Sequence, residues 1–179
     1  NLEMARKFAR RFNHMFKVDY FPEPKPFNFG DELIKIPGLD GSGKMGKSEG
    51  NGIFLFEEPA SIKKKVMRAV TDSGPTEQNQ TVSEPIQNLF TIMKQVSTPD
   101  TLEYFQEKYA SCEIRYGDLK KQLAEDVINF TTPIREKISD IKNNSEYLSK
   151  VAKMGAEKAR ESAVKTVKEV REIIGFRSF

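Results

Sequence analysis

The chain has 179 residues, 37% of them hydrophobic, and a formal net charge of +3, which suits one ordinary domain or two small ones with a core. No run of about 18 apolar residues and no targeting pattern is found, so we expect a cytoplasmic protein rather than a membrane-spanning or secreted one. Cys112 and His14 are single residues of their kinds. They exclude an internal disulfide and leave too few ligands for a structural zinc site.

Positive charge is concentrated towards both ends of the sequence. Residues 1–19 carry five basic side chains against two acidic ones, and residues 148–179 carry eight against four. Basic clusters permit binding to a polyanion, although a solvated helix face is the more common meaning of a charged stripe. Charge alone leaves both interpretations open.

The first elements in chain order are a helix, a connector and a loop. Apolar residues at three- and four-residue steps from Leu2 to Phe16 predict an amphipathic helix. Alternating prolines at 21–27 predict an extended connector. Residues 33–36 are apolar and typical of a short strand, six glycines between 38 and 52 predict a mobile loop, and 53–56 fit a buried strand or a tight turn.

Helices are predicted for the rest of the chain. Their start signals lie at Pro59, Ser83-Glu84-Pro85, Thr98-Pro99-Asp100, Gly117-Asp118 and near Asn144. We expect the first to reach Val70, Pro133 to kink the fourth rather than end it, and Gly175 to cap the last. Small residues such as Gly155 in the last helix predict close helix packing, and Cys112 is expected to fill a gap in the core. The predicted fold is therefore mainly α.

The glycine-rich loop contains the one segment with a clear chemical signal. Residues 41–48 place Lys44, Lys47 and Ser48 in a flexible backbone, and positive charge, free amides and a hydroxyl are what phosphate oxygens require. These residues also fit the phosphate-loop pattern G-x-x-x-x-G-K-[ST]. That loop must be followed at once by a helix, whereas residues 49–52 contain two glycines and an asparagine. A phosphate-loop hydrolase is therefore the weaker alternative.

The five residues Lys44-Met45-Gly46-Lys47-Ser48 resemble the K-M-S-K-S signature of class I aminoacyl-tRNA synthetases, with Gly46 in place of a serine. Three further segments resemble bacterial-type tryptophanyl-tRNA synthetases in order and spacing. They are residues 1–13 (H-L-E-L-x-R and R-F-N, with Asn1 for the histidine), 69–73 (A-V-T-D-S) and 155–160 (G-A-x-K-A-R). Lys44 to Asn51 are likewise similar to that family's K-M-S-K-S-x-x-N. The resemblance thus extends along the whole chain.

This resemblance implies an enzyme that activates tryptophan with ATP, with Mg²⁺ accompanying the nucleotide and no tightly bound metal, and then transfers the amino acid to tRNA(Trp). Lys44 and Lys47 would stabilise the charge that builds on the leaving pyrophosphate, and Ser48 would donate a hydrogen bond to phosphate. The backbone of Met45 would lie near the adenine. Gly46 would lack one hydroxyl contact, and we expect activity to survive that change.

The resemblance also implies a division by function. Residues 1–58 would be the C-terminal remnant of a nucleotide-binding α/β domain, and 59–179 a helical domain that binds tRNA, with its last helix packing back on the catalytic part. Lys158, Arg160 and Lys165 are the candidate tRNA-binding residues. Members of the family are homodimers, but the oligomeric state expected for this chain is open.

The family carries a second ATP signature, H-x-G-H, which a chain with one histidine cannot contain. We therefore expect the chain to correspond to the C-terminal portion of a longer enzyme and to be inactive alone, with part of the apolar face at 2–16 uncovered. Two further functions stay open at this point, a tyrosyl-tRNA synthetase and a stand-alone helical RNA-binding module.

Overall fold

The structure, a computed structural model, describes residues 1–27 and 35–176. Within these residues there are six α-helices and no β-strand. They are α1 (Leu2–Phe16), α2 (Pro59–Met67), α3 (Glu84–Val96), α4 (Pro99–Ala110), α5 (Tyr116–Asn143) and α6 (Ser145–Ile173). The mainly α fold is confirmed. No helix in this part of the chain is both long enough and apolar enough to cross a membrane.

Helices α2 to α5 pack around one apolar core in the compact unit Ile34–Asn144. Helix α5 contacts α2 and α3, and α3 also contacts α4, so the four helices share this core. The largest fully buried side chains come from all four helices: Ile62, Val66, Ile86, Leu89, Met93, Tyr109, Leu119 and Leu123. Burying each of them contributes roughly 1.5–3 kcal/mol. Leu39, buried, and Ile36, Met45 and Ile53, partly buried, belong to the glycine-rich loop and pack against the same core.

A second compact unit consists of Asn1–Leu33 with Ser145–Phe179. The ring of Phe12 lies 4.9 Å from the rings of both Phe16 and Phe21, centroid to centroid. The connector is attached to α1 by Asn13, which accepts hydrogen bonds from the amides of Tyr20 and Phe21 at 3.2 and 3.0 Å. It is attached to α6 by the Tyr20 hydroxyl, which donates to Glu169 at 2.7 Å.

The helix boundaries follow the start signals closely. Helix α2 ends at Met67, three residues before the predicted end at Val70. Helix α5 begins one residue before the predicted Gly117 and continues through Pro133. Gly175, the predicted cap of the last helix, has a φ of +77°. Residues 53–56 form an irregular segment and a turn, which agrees with the second of the two predicted alternatives. Residues 35–36 of the predicted strand are irregular, while 33–34 lie outside the described residues.

Two packing predictions are wrong. A Cβ atom added at Gly155 would meet no atom within 4 Å among the described residues, and no side chain of α6 is buried there. Cys112 is exposed, because it lies in the turn after α4 with a φ of +60° rather than on a core face. The compact units group the loop with α2–α5 and α6 with α1, while the functional boundary at residue 58 stays a prediction.

Candidate active site

The glycine-rich loop returns on itself, so that its two ends lie side by side. The amide of Met45 donates to the carbonyl of Ile36 at 2.8 Å, and the amide of Leu39 donates to the carbonyl of Asn51 at 3.0 Å. The amide of Val70, just after α2, donates to the carbonyl of Leu39 at 2.9 Å. The base of the loop is thus attached to the helical core.

Asn51 lies at the centre of the loop and is only 7% exposed. Its Oδ1 accepts from the amide of Gly46 at 2.9 Å. Its Nδ2 lies 3.1 Å from the carbonyl oxygen of Lys44, 2.9 Å from Oγ of Ser42, and 3.1 and 3.2 Å from the two carboxylate oxygens of Asp40. One buried amide therefore connects four positions of the loop.

Two glycines make room for this arrangement. A Cβ at Gly38 would lie 2.4 Å from both Nδ2 of Asn51 and Oδ1 of Asp40, and a Cβ at Gly52 would lie 2.9 Å from Cγ of Met45. Both distances are shorter than real Cβ contacts allow. At Gly38 the clash is with the buried amide of Asn51, so this loop conformation requires a residue without a side chain there. At Gly52 a side chain would fit only after Met45 had moved.

The predicted phosphate-binding side chains lie in the same loop. Lys44, Lys47 and Ser48 are exposed, and with Met45 and Gly46 they line an open cavity of about 730 Å³. Neither lysine forms an ion pair with any residue that the structure describes. The Ser48 hydroxyl makes one long hydrogen bond, 3.4 Å, to the carboxylate of Glu49. Two cations and a hydroxyl are therefore accessible from the cavity.

Gly46 differs from the family serine in a crowded place. A Cβ there would lie 2.7 Å from Cγ of Glu49. Because that atom belongs to a flexible side chain, a serine would fit only after Glu49 had moved. Glycine at position 46 thus leaves the space that the Glu49 side chain occupies in this structure.

The C-terminal end of the loop is held by α2. Lys65 donates to the carbonyl of Gly52 at 2.9 Å and pairs with Glu57 at 2.8 Å. Burial opposes ionisation of Glu57, but hydrogen bonds from Lys65 and Ser61 outweigh it and hold the pKa of Glu57 below its ordinary value. Lys65 thereby fixes the point at which the loop enters the turn before α2.

The remaining candidate residues lie elsewhere. Lys158, Arg160 and Lys165 are all exposed on α6, in the compact unit that does not contain the loop. Within residues 1–27 and 35–176, no three His, Cys, Asp or Glu side chains are grouped as metal ligands. The phosphate-loop context is also missing, because Ser48 is followed by turn and irregular backbone up to Glu58.

Asp40 and Asn51 received no role from the sequence. The signal available in the sequence was the similarity of Lys44 to Asn51 to K-M-S-K-S-x-x-N, in which Asn51 is the last residue. Its burial depends on how the loop folds, so its contacts were visible only in the structure.

Comparison with known proteins identifies the family. A sequence model described as tRNA synthetases class I (W and Y) matches residues 1–132. The chain therefore belongs to this family of class I tRNA synthetases.

Within the family, the chain is similar to proteins of the tryptophan type. A tryptophan–tRNA ligase of Porphyromonas gingivalis is 56% identical over 99% of this chain and 54% of its own length, and one of Fusobacterium nucleatum is 31% identical over 98% and 52%. The structure of the tryptophanyl-tRNA synthetase of Campylobacter jejuni complexed with ADP and tryptophan is similar, with a TM-score of 0.75 at 28% identity, over 97% of this chain and 53% of that one. The resemblance predicted from the motifs along the chain is confirmed. The chain spans about half the length of the curated relatives it matches.

Proposed function

We propose that this chain is part of a tryptophan–tRNA ligase, a cytoplasmic enzyme that activates tryptophan with ATP, releases pyrophosphate and transfers the amino acid to tRNA(Trp). The observation that carries the proposal is the exposed pair Lys44 and Lys47 on a cavity whose loop is attached to the helical core. The 56% identity to a tryptophan–tRNA ligase supports the choice of amino acid.

The chemistry required of these side chains is electrostatic. When the carboxylate of tryptophan attacks the α-phosphorus of ATP, negative charge grows on the leaving pyrophosphate. Ammonium groups at Lys44 and Lys47 stabilise that charge more in the transition state than in the ground state, and this difference accelerates the reaction. Ser48 donates a hydrogen bond to a phosphate oxygen. Mg²⁺ bound to ATP as part of the substrate would neutralise part of the phosphate charge.

The test is tryptophan-dependent exchange between ATP and pyrophosphate by the whole enzyme that carries this chain. We expect Lys47→Ala to lower the exchange rate by about 10² or more, because one transition-state contact is lost. Lys63→Ala is the matched control, since Lys63 is an exposed lysine on α2 that does not line the cavity. It should exchange at the wild-type rate.

Different results would favour a different function. Exchange with tyrosine instead of tryptophan would indicate a tyrosyl-tRNA synthetase, and ATP hydrolysis without any amino acid would favour a phosphate-loop hydrolase. RNA binding that requires neither substrate would favour a stand-alone module. The 179-residue chain by itself should show no exchange. Tryptophan-dependent exchange by this chain would contradict the expectation that the active site needs residues from outside it.

We also propose that residues 59–179 include the tRNA-binding part and residues 1–58 the catalytic part. The exposure of Lys158, Arg160 and Lys165 along α6 supports this assignment. Replacing all three by alanine should weaken tRNA binding and reduce the slope of log affinity against log salt by about 2–3, because three phosphate contacts are lost.

A matched control replaces three exposed lysines of α2 and α3, Lys63, Lys64 and Lys94, by alanine. The control should leave the salt dependence of tRNA binding unchanged. If both triple variants reduce the slope equally, the basic residues of α6 act only through the overall charge, and the assignment to that helix is wrong.

A further inference from the structure

We propose that Asn51 is a positioning residue of the glycine-rich loop. Its side-chain amide holds the backbone on both sides of Met45 and so fixes where the two lysines stand. This inference rests on the proposed function for its catalytic consequence, whereas its geometric content can be tested separately.

The backbone contacts of Asn51 bracket the signature residues. Oδ1 accepts from the amide of Gly46 at 2.9 Å, and Nδ2 donates to the carbonyl of Lys44 at 3.1 Å. The two bonded groups belong to residues on either side of Met45. The position of Lys44 is therefore held directly, and that of Lys47 through the adjacent Gly46.

The Nδ2 atom of Asn51 has a further partner in the carboxylate of Asp40. Nδ2 also faces the carboxylate of Asp40 at 3.1 and 3.2 Å, and Asp40 in turn accepts from the amide of Ser42 at 3.0 Å. Hydrogen bonds from Ser42 and then Asn51 outweigh burial and keep the pKa of Asp40 below its ordinary value. An ionised carboxylate is the stronger acceptor, so it orients the amide with its nitrogen towards Asp40 and its oxygen towards Gly46.

Only an amide side chain of this length satisfies the site. It needs one acceptor for the Gly46 amide and a donor group for Lys44 and Asp40, and asparagine supplies both from one planar group. An aspartate would keep the acceptor but place a second carboxylate beside that of Asp40. Because Asn51 is buried, water cannot replace the lost bonds without rearrangement of the loop.

Gly38 allows this packing and provides an independent way to disturb it. A methyl group at this position would lie 2.4 Å from Nδ2 of Asn51 and from Oδ1 of Asp40. Gly38→Ala therefore displaces the amide while every polar group of the loop is retained. Its effect should match that of Asn51→Ala.

The first experiment measures tryptophan-dependent ATP–pyrophosphate exchange by the whole enzyme. We expect Asn51→Ala and Gly38→Ala each to lower kcat about 10-fold to 100-fold, because the lysines lose their alignment with the phosphates. The KM for tryptophan should change less than about threefold, since the loop acts on the leaving group. A change in KM for tryptophan with kcat unaffected would overturn the proposal.

A charge-neutral exchange of the two partners offers a rescue. Asp40→Asn combined with Asn51→Asp retains one carboxylate and one amide side by side, and the carboxylate introduced at position 51 still accepts from the Gly46 amide. The double variant should recover at least about threefold of the kcat lost in Asn51→Asp alone. Absence of recovery would show that the contact between residues 40 and 51 does not contribute to kcat, against the proposal.

Matched controls separate positioning from general damage. Asn129→Ala removes an exposed amide from α5. Gly117→Ala adds a methyl group that, among the described residues, would meet no atom within 4 Å beyond its chain neighbours and its own helix backbone. Both should keep wild-type kcat. All variants should also keep the thermal unfolding midpoint well above the assay temperature.

The second experiment uses no catalytic assay. Hydrogen exchange of the Gly46 amide should be about tenfold or more faster in Asn51→Ala and in Gly38→Ala than in wild type, and unchanged in the two controls. If wild type fails to exchange pyrophosphate while the Gly46 amide responds as expected, the proposed function fails and the role of Asn51 in the loop stands. If the Gly46 amide does not respond, the inference is wrong whatever the enzyme activity.

Discussion

Asp72 shows how a single partly buried carboxylate can connect separate parts of the helical unit. It accepts hydrogen bonds from the hydroxyls of Ser83 and Tyr116 and from the amide of Gly74, the last at 2.8 Å. Burial opposes its ionisation, but these donors outweigh burial and hold the pKa of Asp72 below its ordinary value. Burial, and then the hydrogen bond to Asp72, raise the pKa of Tyr116. The segment after α2 is thereby attached to the starts of α3 and α5.

We predict that Asp72→Asn lowers the free energy of unfolding by about 1–3 kcal/mol, measured by urea denaturation at neutral pH. A neutral amide accepts more weakly than a carboxylate, and its nitrogen replaces an oxygen that now accepts from a hydroxyl or from the Gly74 amide. The stabilising effect of Asp72 is complete above the pKa of an unfolded aspartate, about 3.9, and is lost as the pH falls through the lower folded value. The variant should therefore lose less stability than wild type between about pH 5 and 2.

The control for this prediction is Asp140→Asn at an exposed position of α5. It should change stability by less than about 0.5 kcal/mol. Equal effects of the two substitutions would show that overall charge, rather than the contacts of Asp72, determines the result.

At the scale of the helix, similar start signals are used in different ways. Thr98 begins α4 with a side-chain cap, its Oγ1 accepting from the amide of Thr101 at 3.3 Å. Ser83 occupies the equivalent position before α3, yet its hydroxyl makes no cap bond and donates to Asp72 instead. A tertiary partner with a negative charge competes successfully with a local amide.

We predict that Thr98→Ala lowers the free energy of unfolding by about 1 kcal/mol, since one amide of the first turn loses its acceptor. Thr98→Ser keeps the oxygen and should retain most of the stability. Chemical denaturation of the three proteins side by side provides the measurement. A serine variant as unstable as the alanine variant would show that the methyl group, and not the cap, is responsible.

At the scale of the whole molecule, the two compact units differ in how they bury apolar surface. In Ile34–Asn144 all four helices contribute fully buried side chains, whereas Ala9 is the only buried residue of α1, and α6 has none among the described residues. Met4, Phe8 and Met15 of α1 are 55%, 64% and 56% exposed. An apolar face of this kind favours association with other apolar surfaces.

We predict that the 179-residue chain self-associates through α1, and that Phe8→Glu reduces the association by about tenfold or more, as measured by sedimentation velocity. Burial of a phenylalanine side chain contributes roughly 1.5–3 kcal/mol, and a buried glutamate would oppose association. Phe130→Glu at a 49% exposed position of α5 is the control and should leave association unchanged. A wild-type chain that sediments as a monomer would contradict the prediction.

The sequence by itself determined much of the local structure and the family. Helix starts at residues such as Pro59 and Pro99 depend on neighbours in the chain, and local sequence specifies them. The signature Lys44 to Ser48 identified the loop, and the segments at 1–13, 69–73 and 155–160 with it identified the family, because each motif consists of residues close together in the sequence. The same holds for the mainly α fold, since helical periodicity is a local property.

Tertiary structure decided which side chains meet. In the sequence Asn51 is only the last residue of a motif, whereas in the folded chain it is buried and contacts Asp40 and the backbone of Lys44. The roles of Asp72 and Ser83 depend on partners 11 residues apart in sequence, and the grouping of α6 with α1 depends on contacts across almost the whole chain. Such pairings arise from packing between distant segments, which composition, spacing and helical periodicity do not encode.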